Sequence, residues 1–324
     1  MRRMDERWAP IRGEVRSSGF RRVSHGLFLP TAIPPDAISE WHRELEAWLL
    51  VLPEGAVFTH VTAAQLAGWW IPPLPDWVPV FAALGPGVKG PRRAGLVVSR
   101  TKRQGSPGRV DGLPVDSPAE ILLRCARDLG PLDMVPLIDS ARRCGHLVMP
   151  DLWKICSTRR PGVRTLAAAA LLSDPAAESA WEVLLRIFHR VVDIPVEPQV
   201  NVTDETGRFL GRADLLVTGT KFIHEYDGQH HRARPQHRLD LRRDRTLADG
   251  LYVRRGYTSD DLLLGPRAML AEMDRELGRK HRPSRIKPWL TLLSESAHSQ
   301  MGRDRLRNRW YRTMGSQPYW GQAS

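Results

Sequence analysis

Residues 211–228 read GRADLLVTGTKFIHEYDG, which is the stretch that decides the fold of the second half of the chain. Apolar and β-branched residues on both sides of a Thr-Gly-Thr turn at 218–220 predict two strands, at 209–217 and 221–227. A β-hairpin therefore lies at the centre of the predicted domain.

Three acidic residues occupy this hairpin. Because side chains alternate along a strand, Glu225 and Asp227 share one face, and His224 lies on the other. The short turn folds Asp214 back against either His224 or Glu225, a register that the sequence leaves open by one residue. We therefore expect three carboxylates to converge at one end of the hairpin.

The flanking segments predict the elements that surround the hairpin. They are a helix introduced by Asp174-Pro175, strands at 196–202 and 251–255, an Arg-rich helix at about 235–248, and a helix at 258–263 with Asp261 in a capping box. The element order is helix, three strands, helix, strand, helix, which indicates an α/β fold.

Carboxylates gathered at one place repel each other unless a cation or strong hydrogen-bond donors offset their charge. Hard oxygen ligands suit Mg²⁺ or Mn²⁺, and such an ion could activate water for attack on a phosphodiester. The alternative is that Glu225 and Asp227 form a solvated acidic face that pairs with the arginines after them.

The runs ESAWEVLLRIF, GRADLLVTGTKFIHEYDGQHHR and RRDRTLADG resemble the very-short-patch-repair endonuclease-like branch of the PD-(D/E)XK superfamily, over about 175–262. The resemblance implies a restriction-endonuclease-like core, a mixed four-stranded sheet flanked by helices. By resemblance, the site residues are the metal-binding Asp214, the second acidic motif of Glu225 and Asp227, the helix acid Glu178 with Glu182 as a rival, and His231 (less favoured, His230) in a proton-transfer role. The pattern departs from the family where Asp227 replaces the lysine of E-x-K.

Arg238, Arg242 and Arg245 recur at the spacing of one helical face. Together with Arg243 and His230 they are the predicted nucleic-acid contacts, in a phosphate-binding stripe beside the acidic site. A solvated helix with an Asp240–Arg243 pair explains the same pattern.

The charge distribution favours a polyanionic partner. The net charge is +12, and segments 1–25, 228–245 and 277–312 carry +4, +4 and +8, which leaves the rest at −4. DNA is the expected partner, since basic segments on an acidic body suit phosphate binding. A compositional bias towards arginine is the alternative explanation.

Length and composition predict a cytoplasmic protein with more than one domain. A chain of 324 residues that is 42% hydrophobic can form two cores, and its three cysteines do not suggest a disulfide framework. No apolar run approaches the ~20 residues that cross a bilayer, so no membrane association is expected.

The first half resembles AbiEi-type antitoxin and transcriptional-regulator proteins, through RRVSHGLFLP, VFTHVTAAQLAGWWIPPLP and VDGLPVDSPAEILLRCARDLG. It is expected to be mainly α+β, with a hairpin at 20–29, a helix at 37–52, a short helix with Thr62 as N-cap, and strands at 78–83 and 96–99. Trp69, Trp70 and Trp77 are either a stacking platform for bases or packing residues. The predicted division is a basic arm at 1–20, a regulatory or DNA-binding domain at 21–160, the nuclease-like domain at 174–280, and a basic, partly flexible tail at 281–324.

Two functions follow as expectations. The first is a Mg²⁺- or Mn²⁺-dependent DNA endonuclease or nickase of a repair or defence type. The second is a DNA-binding regulator, antitoxin-like, that uses the nuclease fold without catalysis. A toxin or another defence-system component is an expected partner of such a regulator.

Overall fold

The structure, a computed structural model, describes residues 9–15, 18–33, 39–100, 105–228 and 252–314. Within these ranges the chain is a mixed α/β protein with three separate sheets. The strands are β1 (Ile11–Arg12), β2 (Phe20–Ser24), β3 (Leu27–Pro30), β4 (Val57–Phe58), β5 (Val80–Leu84), β6 (Leu96–Arg100), β7 (Gly108–Val110), β8 (Leu113–Val115), β9 (Val196–Thr203), β10 (Phe209–Val217), β11 (Phe222–Tyr226) and β12 (Val253–Tyr257). The α-helices are α1 (Glu40–Leu49), α2 (His60–Leu66), α3 (Pro118–Cys125), α4 (Pro131–Arg143), α5 (Met149–Cys156), α6 (Val163–Ala170), α7 (Ala180–Val191), α8 (Ser259–Leu263), α9 (Pro266–Glu276), α10 (Lys287–Glu295) and α11 (Gln300–Met314), with a 3-10 turn at Pro283–Ile286.

The chain forms two compact units. Unit 1 comprises Met1–Asp128, Met149–Val163 and Asp304–Ser324, and unit 2 comprises Leu129–Val148 and Arg164–Arg303. The division at 160–174 predicted from the sequence therefore differs from these units, because α4 packs on α7 in unit 2 and α5 packs on α3 in unit 1.

Unit 1 contains two sheets, with strand orders β1-β3-β2 and β6-β5-β4-β8-β7. The hairpin predicted at 20–29 is confirmed, with Gly26 at a φ of +62° in its turn. Helix α1 falls inside the predicted 37–52 range, and Ser39 caps it by accepting a hydrogen bond from the backbone N–H of His42. Its apolar face buries Leu45 and Trp48.

Two helix starts differ from the sequence-based prediction. Thr59, not Thr62, is the N-cap residue of α2, while the Thr62 hydroxyl accepts from the Phe81 N–H at 2.9 Å. Helix α7 begins after Ser179 rather than at Asp174, whose carboxylate accepts from the Ala176 N–H in a local turn. In both cases the side chain accepts a backbone hydrogen bond that does not belong to the start of the helix.

The segment predicted as a partly flexible tail is largely helical through Met314. In unit 1, Trp310 is 1% exposed and its indole N–H donates to Asp128 at 2.7 Å, which anchors the end of α11. Residues 315–324 lie outside the described ranges, as do residues 1–8 and 16–17 of the predicted arm.

Unit 2 is built on a four-stranded mixed sheet with the order β12-β11-β10-β9. Strands β9, β10 and β11 are antiparallel, and β12 is parallel to β11. Helix α7 packs on this sheet with Leu184, Leu185 and Phe188 fully buried, as its periodicity predicts. The predicted strands of this half are confirmed, and the Arg-rich helix predicted at 235–248 lies outside the described residues.

Candidate acidic site

The β10–β11 hairpin fixes the register that the sequence left open. Leu215 lies opposite His224 and Leu216 opposite Ile223, so continuation of the pairing places Asp214 opposite Glu225. Gly219 has a φ of +75°, a conformation that glycine adopts without strain, and it closes the turn. The same side of two adjacent strands therefore carries both acids.

The two faces of β11 have different surroundings. On one face His224 hydrogen-bonds to His189 of α7, and the Tyr226 ring stacks on Trp181 with ring centroids 5.4 Å apart. Glu225 lies between these two residues in sequence and so belongs to the opposite face. This confirms the predicted alternation, with the aromatic side against the helix and the acid away from it.

Asp214 lines a cleft. It is half-buried, and one of its carboxylate oxygens lies 3.4 Å from the Tyr226 N–H. The cleft has a volume of about 470 Å³, and its lining residues are Glu178, Asn201, Phe209, Arg212 and Asp214. The structure thus places two of the predicted acids, Glu178 and Asp214, in one cleft.

Two arginines form ion pairs with Glu178. Its carboxylate lies 2.6 Å from the Arg212 guanidinium and 3.7 Å from that of Arg143. All three side chains are between 43% and 48% exposed, so water screens these pairs. Arg212 stands two residues before Asp214 on the same strand face, a spacing that is visible in the sequence but has no part in the family resemblance.

Glu182, the rival of Glu178, has a structural role. Its carboxylate accepts from the Ser179 hydroxyl, the Glu178 N–H and the Gln199 amide at 2.8, 2.8 and 3.1 Å. These contacts complete the N-terminal cap of α7. Gln199, at the strand position across from Asp214, has a φ of +54°, which is strained for a residue with a side chain.

Glu225 is buried and paired. It is 3% exposed, and its carboxylate lies 2.5 Å from the Arg254 Nε on the neighbouring parallel strand β12. Arg254 is 24% exposed, so it connects this buried charge to the surface. The missing lysine of the E-x-K pattern was the one sequence feature that suggested a cation from elsewhere beside Glu225. It did not indicate that this cation is Arg254, 29 residues further along the chain.

Asp227 follows the end of β11, and its backbone N–H donates to the Tyr257 carbonyl at 2.8 Å. The side chain crosses closely over β12, since a Cβ on Gly256 would lie 3.2 Å from the Asp227 Cβ and 3.3 Å from a carboxylate oxygen. Glycine at 256 therefore makes room for Asp227.

A pair of neutral histidines lies behind the acidic face. Burial lowers the pKa of His189 to about 4, and burial together with the adjacent His189 lowers the pKa of His224 to about 2. Burial also raises the pKa of Tyr226. Both histidines on the helix side of β11 are thus uncharged at neutral pH.

Within the described ranges, no group of three or more His, Cys, Asp and Glu side chains is arranged to hold a metal ion, so Asp214, Glu225 and Asp227 do not form the three-carboxylate group expected from the sequence. His230, His231, Arg238, Arg242, Arg243 and Arg245 lie outside the described residues. The described helices include none long and apolar enough to span a bilayer. No family model, curated protein or solved structure matches the chain.

Proposed function

We propose that unit 2 is a metal-dependent DNA endonuclease or nickase module with a PD-(D/E)XK-type core. The observation that carries this proposal is the hairpin register, which sets Asp214 across from Glu225, with Asp227 two residues further on. The four-stranded mixed sheet with α7 packed on it is compatible with such a core. The Glu178 carboxylate, which lies just before the N-cap of α7 and not on the helix, shares the cleft with Asp214 and adds the further acid that the resemblance implies.

The proposed ion is magnesium or manganese, held by two carboxylates rather than by three. Asp214 and Asp227 would hold it, since Mg²⁺ is commonly bound by one or two carboxylates together with substrate phosphates. Glu225 is already neutralised by Arg254, so it contributes least to such a site. A bound ion would lower the pKa of its water and offset the charge that develops on the phosphodiester.

The remaining residues act on the substrate and on the acids. Arg254 holds Glu225 in place and puts a guanidinium beside the acids, the kind of donor that stabilises negative charge on phosphate. Arg212 provides a second guanidinium in the cleft. His231 would transfer a proton, and Arg238, Arg242, Arg243, Arg245 and His230 would contact DNA. Those six roles rest on the sequence.

A second function is favoured by the Glu225–Arg254 pair. A buried carboxylate that already has a guanidinium at 2.5 Å needs no metal to offset its charge. A DNA-binding regulator, antitoxin-like and with a toxin or defence component as partner, would keep this pair for stability alone.

Plasmid nicking in Mg²⁺ or Mn²⁺ tests the first function. Asp214→Asn and Asp227→Asn should each lower the rate by more than the ~10–100-fold typical of residues that only support a metal site. Glu205→Gln, at an exposed loop position of the same unit, is the matched control and should cut at the normal rate.

The outcomes separate the two functions. Cleavage that disappears in both aspartate variants but persists in the control supports the nuclease. DNA binding without cleavage in either metal, unchanged by the aspartate substitutions, supports the regulator and overturns the nuclease. Cleavage that persists in Asp214→Asn places the chemistry elsewhere in the chain.

A further inference from the structure

A basic cleft of about 640 Å³ lies in unit 1, far from the acidic residues in sequence. The β2–β3 turn, Trp77 and the segment that leads into β6 form it. Its charged and aromatic lining residues are Arg22, His25, Trp77, Arg92 and Arg93. We call it the basic cleft. Its volume lies within the roughly 300–1,000 Å³ typical of small-ligand sites.

The charge of the basic cleft has one sign. Three arginines and a histidine line it, and none of the described lining residues is an aspartate or glutamate. An Arg22 Nη lies 3.1 Å from the His25 Nδ1, and Arg93 donates to the His25 carbonyl, so both guanidiniums contact the same turn residue. Burial and the nearby Arg12 lower the pKa of Arg93. Like charges crowded in this way favour an anionic ligand.

An aromatic ring forms part of the same lining. The Trp77 ring stacks on Tyr311 of α11 with centroids 5.3 Å apart and an interplanar angle of 23°. The neighbouring Trp310 anchors that part of α11 on Asp128. Trp77 is therefore held in a fixed orientation at the cleft. Trp69 does not line the cleft, since it is 3% exposed and belongs to the core.

We propose that the basic cleft binds a nucleotide of a single-stranded nucleic acid, with the base stacked on Trp77 and the phosphates on Arg92 and Arg93. Cations that track a backbone beside an aromatic ring that stacks on bases are the two components of single-strand recognition. A duplex satisfies the cations but keeps its bases stacked on each other, so only an unpaired base uses Trp77. This site goes beyond the proposed nuclease, since it involves no residue of unit 2.

Anisotropy of a labelled twelve-residue oligothymidylate, with the full chain in EDTA, measures this binding. Trp77→Leu should weaken it about 5- to 150-fold, the range for loss of one base–aromatic stack, while Trp77→Phe should recover most of the affinity. The control is Trp153→Leu, at an exposed tryptophan of α5 in the same unit. Equal affinity of Trp77→Leu and Trp153→Leu would overturn the proposal.

The arginines are tested by salt titration. Arg92→Gln with Arg93→Gln should reduce the slope of log affinity against log salt by about 1.4, that is ~0.7 for each phosphate of a single strand that the protein no longer neutralises. Arg159→Gln, exposed in unit 1 outside the cleft, should leave the slope unchanged. An unchanged slope in the double variant contradicts phosphate binding by these arginines.

The source of the nucleotide and the strandedness are tested last. Thymidine monophosphate should compete at least about 10-fold more weakly than the oligonucleotide, since a strand adds further phosphates. Equal competition would assign the cleft to free nucleotides and overturn the proposal that it binds a single strand. An equal effect of Trp77→Leu on a duplex of the same length overturns single-strand recognition. The same measurements on the Asp214→Asn protein should give the same affinities, because the basic cleft contains no residue of unit 2. The test of the cleft is therefore independent of the test of the nuclease.

Discussion

His189 Nε2 and His224 Nδ1 lie 2.7 Å apart in the interior of unit 2, where both side chains are 0% exposed. The His189 Nδ1 lies 2.8 Å from the Leu185 carbonyl, which can only accept, so this nitrogen carries the proton. In neutral His189 the Nε2 then accepts, and His224 donates to it from Nδ1. This hydrogen bond joins α7 to the strand of Glu225, and it is lost only when both rings are protonated, because two N–H groups then face each other.

We expect the free energy of unfolding of unit 2 to decrease as the pH falls below about 6.5. The folded-state pKa values, about 4 for His189 and about 2 for His224, lie below that of the unfolded chain. Between pH 6.5 and 4 the unfolded chain therefore binds more protons, and each ring lowers stability by at most ~1.4 kcal/mol per pH unit. In urea unfolding between pH 6.5 and 5, the free energy of unfolding of His224→Gln should fall less steeply with decreasing pH. The difference should be about the contribution of one histidine.

His146→Gln provides the control, because His146 is exposed in the same unit. Its slope should match that of the unsubstituted protein. A slope in His224→Gln as steep as in the control variant would show that the buried pair does not set the acid sensitivity.

Arg254→Met should lower the free energy of unfolding by about 3–5 kcal/mol, because it leaves the Glu225 carboxylate buried without its guanidinium. The double variant Glu225→Leu with Arg254→Met should recover most of this loss, since an apolar pair of similar volume avoids the buried charge. Arg255→Met, at the neighbouring position whose side chain is 45% exposed, should cost about 1 kcal/mol or less. Urea unfolding of the three variants measures these differences, and equal losses for Arg254 and Arg255 would contradict the buried pair.

Local rules predicted the four strands of unit 2 and its helix α8, because each depends on residues close in sequence. Alternation along β11 separates Glu225 from His224 whatever the rest of the fold does, and the turn at Gly219 needs only its own residues. The capping box of α8 was likewise visible, and Thr258 and Asp261 form it. The PD-(D/E)XK identity of the core is a further step, and it stays a proposal.

Non-local contacts decided what the sequence could not show. Arg254 meets Glu225 only because β12 runs parallel to β11, which is a tertiary event. The choice between Thr59 and Thr62 as N-cap depends on which hydroxyl is turned towards the Phe81 N–H on another strand. The basic cleft combines residues from three separate segments, so no spacing pattern marks it.

If unit 2 is the proposed nuclease, Gly256→Val should displace Asp227 and lower cleavage by roughly 10- to 100-fold, the scale of a misplaced catalytic group. The added side chain would begin 3.2 Å from the Asp227 Cβ, which is tighter than ordinary carbon–carbon contact, so Asp227 has to shift by a few tenths of an ångström. The substitution should add no further loss to Asp227→Asn if it acts through that carboxylate. Cleavage rates and Mn²⁺ binding by calorimetry measure both effects, and an additive loss would place the effect of Gly256 elsewhere.

Glu178 and Glu182 should separate into a functional and a structural acid. Glu182→Ala removes the acceptor of three hydrogen bonds at the start of α7, so unfolding free energy should fall by about 1–2 kcal/mol. Glu178→Ala breaks only screened, half-exposed ion pairs and should change stability by about 0.5 kcal/mol or less. Because Glu178 shares the cleft with Asp214, its loss should instead lower the rate of DNA cleavage at full protein stability. Urea unfolding and nicking rates measured on both variants decide the assignment, and a stable Glu182→Ala protein that fails to cut would make Glu182 the acid of the site.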